Sequence, residues 1–150
     1  MHEMLWAGIS DMEEYKDVGR HLEDGDVRSA FDELYNEHGV PKPRYAAHAT
    51  ELEADRILYL AAFVIKTRYR SGGLGALALR SFHAALRELD AEYAPKVLVL
   101  TACPLDERPR PDLTENQEVL KLIAFYTRSG YGLWHGDDEK PDENMMGRML

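Results

Sequence analysis

The sequence predicts one α/β domain, and three observations carry that expectation. First, 150 residues suit a single core and are too few for two ordinary domains. Second, hydrophobic residues make up 45% and charged residues 30%, the balance of a folded globular chain. Third, two short all-apolar runs, Ile57 to Ile65 and Val97 to Leu100, flank a glycine-rich turn and an amphipathic stretch. Strand, turn, helix and strand in that order form a βαβ unit, whose crossover makes the two strands parallel.

Taken in order, the chain opens with a strand-like stretch, Met4 to Ile9. Ser10-Asp11-Met12-Glu13 then has the form of a capping box. The helix it would open has only a ragged apolar face of Met12, Tyr15 and Leu22. Asp26 suits the N-cap of a second helix, with Val27, Ala30, Phe31 and Leu34 at spacings of three and four. Gly39 can take the left-handed conformation that ends it, and Pro41 and Pro43 make residues 39–47 a connection. Arg44 to Thr50 is a second strand-like stretch.

Ile57 to Ile65 is apolar on both faces and suits a strand buried within a sheet. The helix after the glycine turn has the stripe Leu74, Leu77, Ala78, Phe82, Ala85, Leu86 and Leu89. Val97 to Leu100 follows Lys96 as the second buried strand, and Pro104 to Pro111 is an irregular loop. Thr114 and Gln117 form a further capping box for a helix carrying Val119, Leu122, Ile123 and Tyr126 on one face and closed by Gly130. Tyr131 to Trp134 and Met145 to Leu150 complete the sheet, with the acidic Asp137 to Glu143 as their turn.

Charge narrows the function. Lys and Arg number 18 against 27 acids, a net charge of −9, which speaks against general nucleic-acid binding. The apolar run 57–65 is about half the ~20 residues that span a bilayer, and the start lacks a cationic signal region. One cysteine, Cys103, allows neither an internal disulfide nor a cysteine zinc site, and a reducing, cytoplasmic setting is the simplest expectation. From Arg56 to Arg87 there is no acid, yet there are six basic residues: Arg56, Lys66, Arg68, Arg70, Arg80 and Arg87. Such an island in an acidic chain suits a small, strongly anionic ligand, or a merely solvated face.

Arg70-Ser71-Gly72-Gly73-Leu74-Gly75 sits where the strand gives way to the helix. Glycines there let backbone amides approach a ligand, and the helix start adds unpaired donors and a partial positive charge. The turn is neither the Walker pattern nor the Rossmann fingerprint. It does read Arg-x-x-Gly-x-Gly, as Arg70, Gly73 and Gly75. It is joined in order by the strand ending Val64-Ile65, by Val97 to Leu100, by Phe125-Tyr126 before Gly130-Tyr131, and by the closing Met146-Gly147-Arg148-Met149. From Phe63 to the C-terminus the chain resembles the GNAT superfamily of acyl-CoA N-acyltransferases.

The resemblance implies a mixed, twisted sheet flanked by helices, here with a shortened N-terminal part, and transfer of an acetyl group from acetyl-CoA to a primary amine by direct attack. It implies that the amides of Arg70, Ser71, Gly72, Gly73, Leu74, Gly75 and Ala76 hold the pyrophosphate. The main chain of Phe63, Val64 and Ile65 would pair with the pantetheine arm and supply an oxyanion donor. The two parallel strands part in the family, and the thioester lies in the gap. Tyr126 matches the tyrosine that protonates the departing thiolate. Where the family often has an acid on the first strand, this chain has Ala61 and Ala62, and Val119 replaces an Asn before the tyrosine. His48, Glu51 and Glu53 stand just upstream as bases acting through water.

Acid elsewhere in the chain favours a cationic acceptor: a polyamine, an aminoglycoside or a protein lysine. A second chain would cover a missing sheet edge, so a homodimer is expected. The alternatives are a catalytically weak, CoA-binding regulatory module and a structural domain whose turn binds nothing. The six histidines form no His-x-x-x-His pair, and the acids near 137–143 lack calcium-loop spacing, so no metal is expected. Cys103 follows the end of the second strand, where it either faces the acyl site or, with no His or Asp arrangement to activate it, is buried and inert; Trp6 and Trp134 read as core residues before pocket residues.

Overall fold

Apolar runs that satisfy both faces of a strand place Arg56–Tyr59 and Val97–Thr101 inside the sheet rather than at its edges. The computed structural model describes residues 3–4, 25–54, 56–61, 63–65, 69–70, 72–103, 113–136 and 144–150. Within them, β1 (Glu3–Met4), β2 (Arg56–Tyr59), β3 (Val97–Thr101), β4 (Gly132–His135) and β5 (Met145–Met149) form one sheet in the order β1-β2-β3-β5-β4. β1 and β3 run parallel to β2, while β5 is antiparallel to both β3 and β4, so the sheet is mixed. The helices are α1 (Gly25–Leu34), the single turn α2 (Ala49–Leu52), α3 (Leu74–Arg87) and α4 (Glu115–Arg128), with a 3-10 segment at Pro43–His48.

Strand alternation divides the apolar residues between two cores. Ile57, Val97, Val99 and Met145 face Phe31, Leu34, Tyr45 and Leu52, from α1, the 3-10 segment and α2. Leu98, Leu100 and Met146 face Leu79 and Leu86 of α3 and Tyr126 of α4. The β2-α3-β3 crossover is the expected βαβ unit, with Ile57 level with Val97 and Tyr59 with Val99.

Several expectations are corrected. The first buried strand pairs only over Arg56–Tyr59, not Ile57 to Ile65. Leu60 still donates its N–H to the Val99 carbonyl at 2.8 Å, and beyond it the described residues show no further pairing with β3. Phe63 to Ile65 form no regular strand, and Val64 is exposed. The apolar run continues there because it walls a cavity. Arg44 to Thr50 is helical, since Pro43 fixes a helical φ at the start of a 3-10 segment and Ala46, Ala47 and Ala49 favour helix. α1 ends at Leu34 rather than at Gly39. Gly39 (φ 72°) belongs to a later turn in which Asn36 Oδ1 accepts from His38 and Val40 N–H at 2.9 and 3.0 Å.

The buried line of α3 is Leu79, His83 and Leu86, while Leu74, Leu77 and Leu89 are exposed. A count of apolar residues passes over His83, which the core accepts because both ring nitrogens are hydrogen-bonded. Arg148 Nη1 donates to Nδ1 at 3.1 Å, so Nε2 carries the proton and donates to the Tyr131 hydroxyl at 2.9 Å. Burial, and then the cations Arg148 and Arg87, lower the His83 pKa to about 4, so the ring is neutral near pH 7.

α4 begins as expected. Gln117 N–H donates to Thr114 Oγ1 at 3.3 Å, and Thr114 N–H donates to Gln117 Oε1 at 2.9 Å. Gly130, with φ 89°, closes it. The Ser10 capping box and its helix, the loop from Pro104 to Pro111 and the turn from Asp137 to Glu143 lie outside the described residues.

Candidate functional site

Past the end of the β2–β3 ladder, a cavity of about 490 Å³ opens between Leu60, Ala61, the 63–65 segment, the start of α3 and one side of α4. Of the residues singled out from the sequence, Phe63, Val64, Ile65, Arg70, Gly73, Gly75, Ala76 and Tyr126 all line it. Leu74 and Gly72 do not: the Leu74 side chain is 42% exposed, and only its backbone is at the turn. Ser71 lies outside the described residues.

The turn is built for close approach. Gly73 takes φ 76°, left-handed backbone that glycine adopts without strain, and α3 starts at the next residue. No side chain caps this end, so its first amides have no intrahelical partner and carry the positive end of the helix dipole. A Cβ at Gly72 or Gly73 would meet nothing within 4 Å, so there is open space in front of this backbone. Gly75 acts differently: a Cβ there would lie 3.5 Å from the Phe125 ring and 3.6 Å from Ile65, so its absence lets α3 sit close to α4. Arg70 Nε donates to the Ile65 carbonyl at 2.7 Å and ties the turn to the 63–65 segment. Phe63 stacks on Phe125, with centroids 6.2 Å apart and planes within 11°.

Tyr126 stands on the core side of α4, 6% exposed, with its ring edge-on to Phe125 and Tyr131 at 5.2 and 5.7 Å. Among the described residues its hydroxyl has no hydrogen-bond partner. Burial, with a smaller contribution from Cys103, pushes its pKa up to about 12, so the phenol keeps its proton at neutral pH and has it to donate.

Sequence reading missed Thr101, Leu113, Glu118, Lys121 and Arg128 as lining residues. Thr101 shares a 3.1 Å hydrogen bond with the Tyr59 hydroxyl across β2 and β3. Cys103 is only partly buried, rather than fully so, and reaches the cavity. Glu118, Lys121, Leu122 and Phe125 follow the helical spacing of three and four, a second stripe beside the core stripe of Val119 and Tyr126; that periodicity was the available signal.

Of the basic island, Arg70 lines the cavity, Arg80 and Arg87 are exposed on α3 and do not line it, Arg56 donates to the Ala91 carbonyl, and Lys66 and Arg68 lie outside the described residues. Arg70, Lys121 and Arg128 are the cations of the wall, with Glu118 among them. Nor do the upstream bases reach the cavity. His48 stacks on Trp134 at 4.8 Å on the opposite side of the sheet, 3.6 Å from Glu51, and neither residue lines it; Glu53 is exposed. Ala61 does line it.

Among the described residues no group of three or more His, Cys, Asp or Glu side chains could hold a metal, and no helix is long and apolar enough to cross a membrane. Compared with protein-family models, with curated proteins and with solved structures, the chain finds no match.

Proposed function

We propose that this cavity transfers an acetyl group from acetyl-CoA to a primary amine. The observation that carries the reading is the end of the β2–β3 ladder at Leu60. It opens onto one space walled by the glycine turn, by a backbone segment outside the sheet and by a buried tyrosine whose hydroxyl has no partner among the described residues. When bound, acetyl-CoA supplies the thioester that the amine attacks.

Each residue type present fits that ligand. The uncapped start of α3 and Arg70 receive a pyrophosphate by amide and charge-assisted hydrogen bonds. Lys121 and Arg128 add positive potential along the wall. Phe63 to Ile65 lie outside the regular strands and offer main-chain groups to the amide-bearing arm of the cofactor. An N–H of Val64 or Ile65 stabilises the developing oxyanion. Tyr126 gives its proton to the departing sulfur. Burial keeps the phenol protonated at neutral pH, so the proton is present when the sulfur departs.

Glu118, on the first turn of α4, supplies negative charge to the wall. It stands eight residues, or ~12 Å of helix, from Tyr126. At that distance it takes the amine proton through water or pairs with a second cationic group of the acceptor. Among the described residues that line the cavity it is the one acid.

Thermal unfolding with acetyl-CoA, dephospho-CoA and ATP tests the binding half of the proposal. At about a hundredfold excess over Kd, acetyl-CoA should add roughly 2.7 kcal/mol, a rise in Tm of roughly 5–10 °C for a domain this size. Gly73→Val, which forces a branched residue to positive φ at the turn, should remove most of the rise. Thiol release in the presence of an amine panel tests the transfer half. No shift at millimolar acetyl-CoA would overturn the reading. A second reading, a CoA-binding module without efficient transfer, draws on Ala61 in the wall and Val119 in the core, positions where an enzyme of this class would carry polar side chains. A Tm rise with no thiol release from any amine would select it.

A further inference from the structure

One nucleophile in the cavity has no part in the proposed transfer. Cys103 lies two residues beyond the end of β3, past the end of the β2–β3 ladder, and lines the cavity with Tyr126. Tyr126 is 6% exposed, and its hydroxyl has no partner among the described residues. A hydroxyl that has no partner among the described residues and opens on a cavity is a donor free to meet a polar atom of an incoming ligand. In the transfer reading, on which this inference rests, that atom is the sulfur of CoA. Cys103 and Tyr126 line the same cavity, so a sulfur bound beside the phenol has the Cys103 thiol on the same wall.

We propose that Cys103 is a site of reversible thiol–disulfide exchange with CoA disulfide, which leaves one CoA covalently bound in the cavity and the site blocked. The Cys103 thiolate attacks one sulfur of CoA disulfide, forming a protein–CoA S–S bond as the original S–S bond breaks. The second CoA departs as thiolate and takes up the proton that the Cys103 thiol released. The disulfide is the oxidant: Cys103 is oxidised and the departing CoA reduced, so the step balances without any further reagent. Selectivity comes from position. The turn and Arg70 hold the nucleotide half of the disulfide and raise the effective concentration of its sulfur at Cys103, whereas a disulfide lacking that half must find the thiol by chance. The adduct would switch the transferase off in oxidising conditions, and reductant would restore it.

The test is intact-mass spectrometry of the reduced full chain over time, with CoA disulfide or oxidised glutathione at equal concentration. The expected result is a single CoA adduct that forms about tenfold faster than the glutathione adduct. Acetyl-CoA, which fills the cavity but has no disulfide to exchange, should slow it; dithiothreitol should remove it; and Cys103→Ser should abolish it while keeping the acetyl-CoA-dependent rise in Tm. Equal rates with the two disulfides, or no protection by acetyl-CoA in a protein whose Tm it raises, would mean an ordinary accessible thiol and overturn the proposal. No adduct together with a normal Tm rise would overturn the exchange site and leave the transfer reading standing. Absence of any Tm rise would remove the transfer reading, and this inference with it.

Discussion

Tyr126 and Tyr131 are five residues apart, both almost fully buried, and their rings meet edge to face at 5.7 Å. Their surroundings are opposite. The Tyr131 hydroxyl accepts from His83 Nε2, and His83 is held in turn by Arg148, which also donates to the Ser129 carbonyl. This closed network joins α3, the end of α4 and β5. The Tyr126 hydroxyl meets the cavity wall and has no partner among the described residues. A satisfied buried hydroxyl fastens elements together. One that opens on a cavity joins no elements and is left for a ligand to meet. Two residues of one type, side by side, thus divide stability from function.

Substitution should separate the two roles. The largest effect expected is on turnover: Tyr126→Phe should lower kcat by roughly 10²–10³ through loss of the general acid. It should leave acetyl-CoA affinity nearly intact and Tm unchanged or slightly higher, because no internal hydrogen bond is lost. Equal losses in affinity and turnover, read from steady-state kinetics beside the thermal shift, would reverse the assignment. Tyr131→Phe should do the opposite, costing about 1–3 kcal/mol in urea unfolding by leaving the His83 N–H buried and unpaired, with turnover per folded molecule close to wild type.

A smaller effect follows from pH. His83 titrates near 4 in the folded chain against about 6.5 when unfolded, so between those values the unfolded state binds more protons. Its contribution to stability is complete above pH 6.5 and is lost as pH falls toward 4. The urea midpoint should fall across that window in the wild type and fall less steeply in His83→Gln. An unchanged slope in the variant would show that other groups govern acid unfolding.

Legibility in the sequence followed the range of the interactions. The Thr114–Gln117 box, the turn from Arg70 to Gly75 and the apolar strand β3 were readable because each is fixed by residues adjacent in sequence. The point where β2 stops pairing was not, since Leu60 and Phe63 are equally apolar and only the course of β3 decides which of them joins the ladder. His83 was invisible as a core residue because its partners come from positions 131 and 148. At the site, the glycines and Tyr126 were legible as a local pattern. Glu118 gained its meaning only when the fold brought the end of β3 beside α4. The upstream acids and His48 misled for the same reason: they are close in sequence to the first strand but lie on the other face of the sheet or at the surface.

Trp134 lies directly over Gly147, so that a Cβ at 147 would stand 2.0 Å from the indole Cζ2, and the indole ring also stacks on His48. Position 147 therefore has no tolerance of its own. Among natural variants of this chain, even an alanine there should occur only together with a smaller residue at 134, and then with a new neighbour for 48. Three positions far apart in the sequence form one unit of variation, inherited together or lost together, and diverged sequences should carry its mark as correlated substitution.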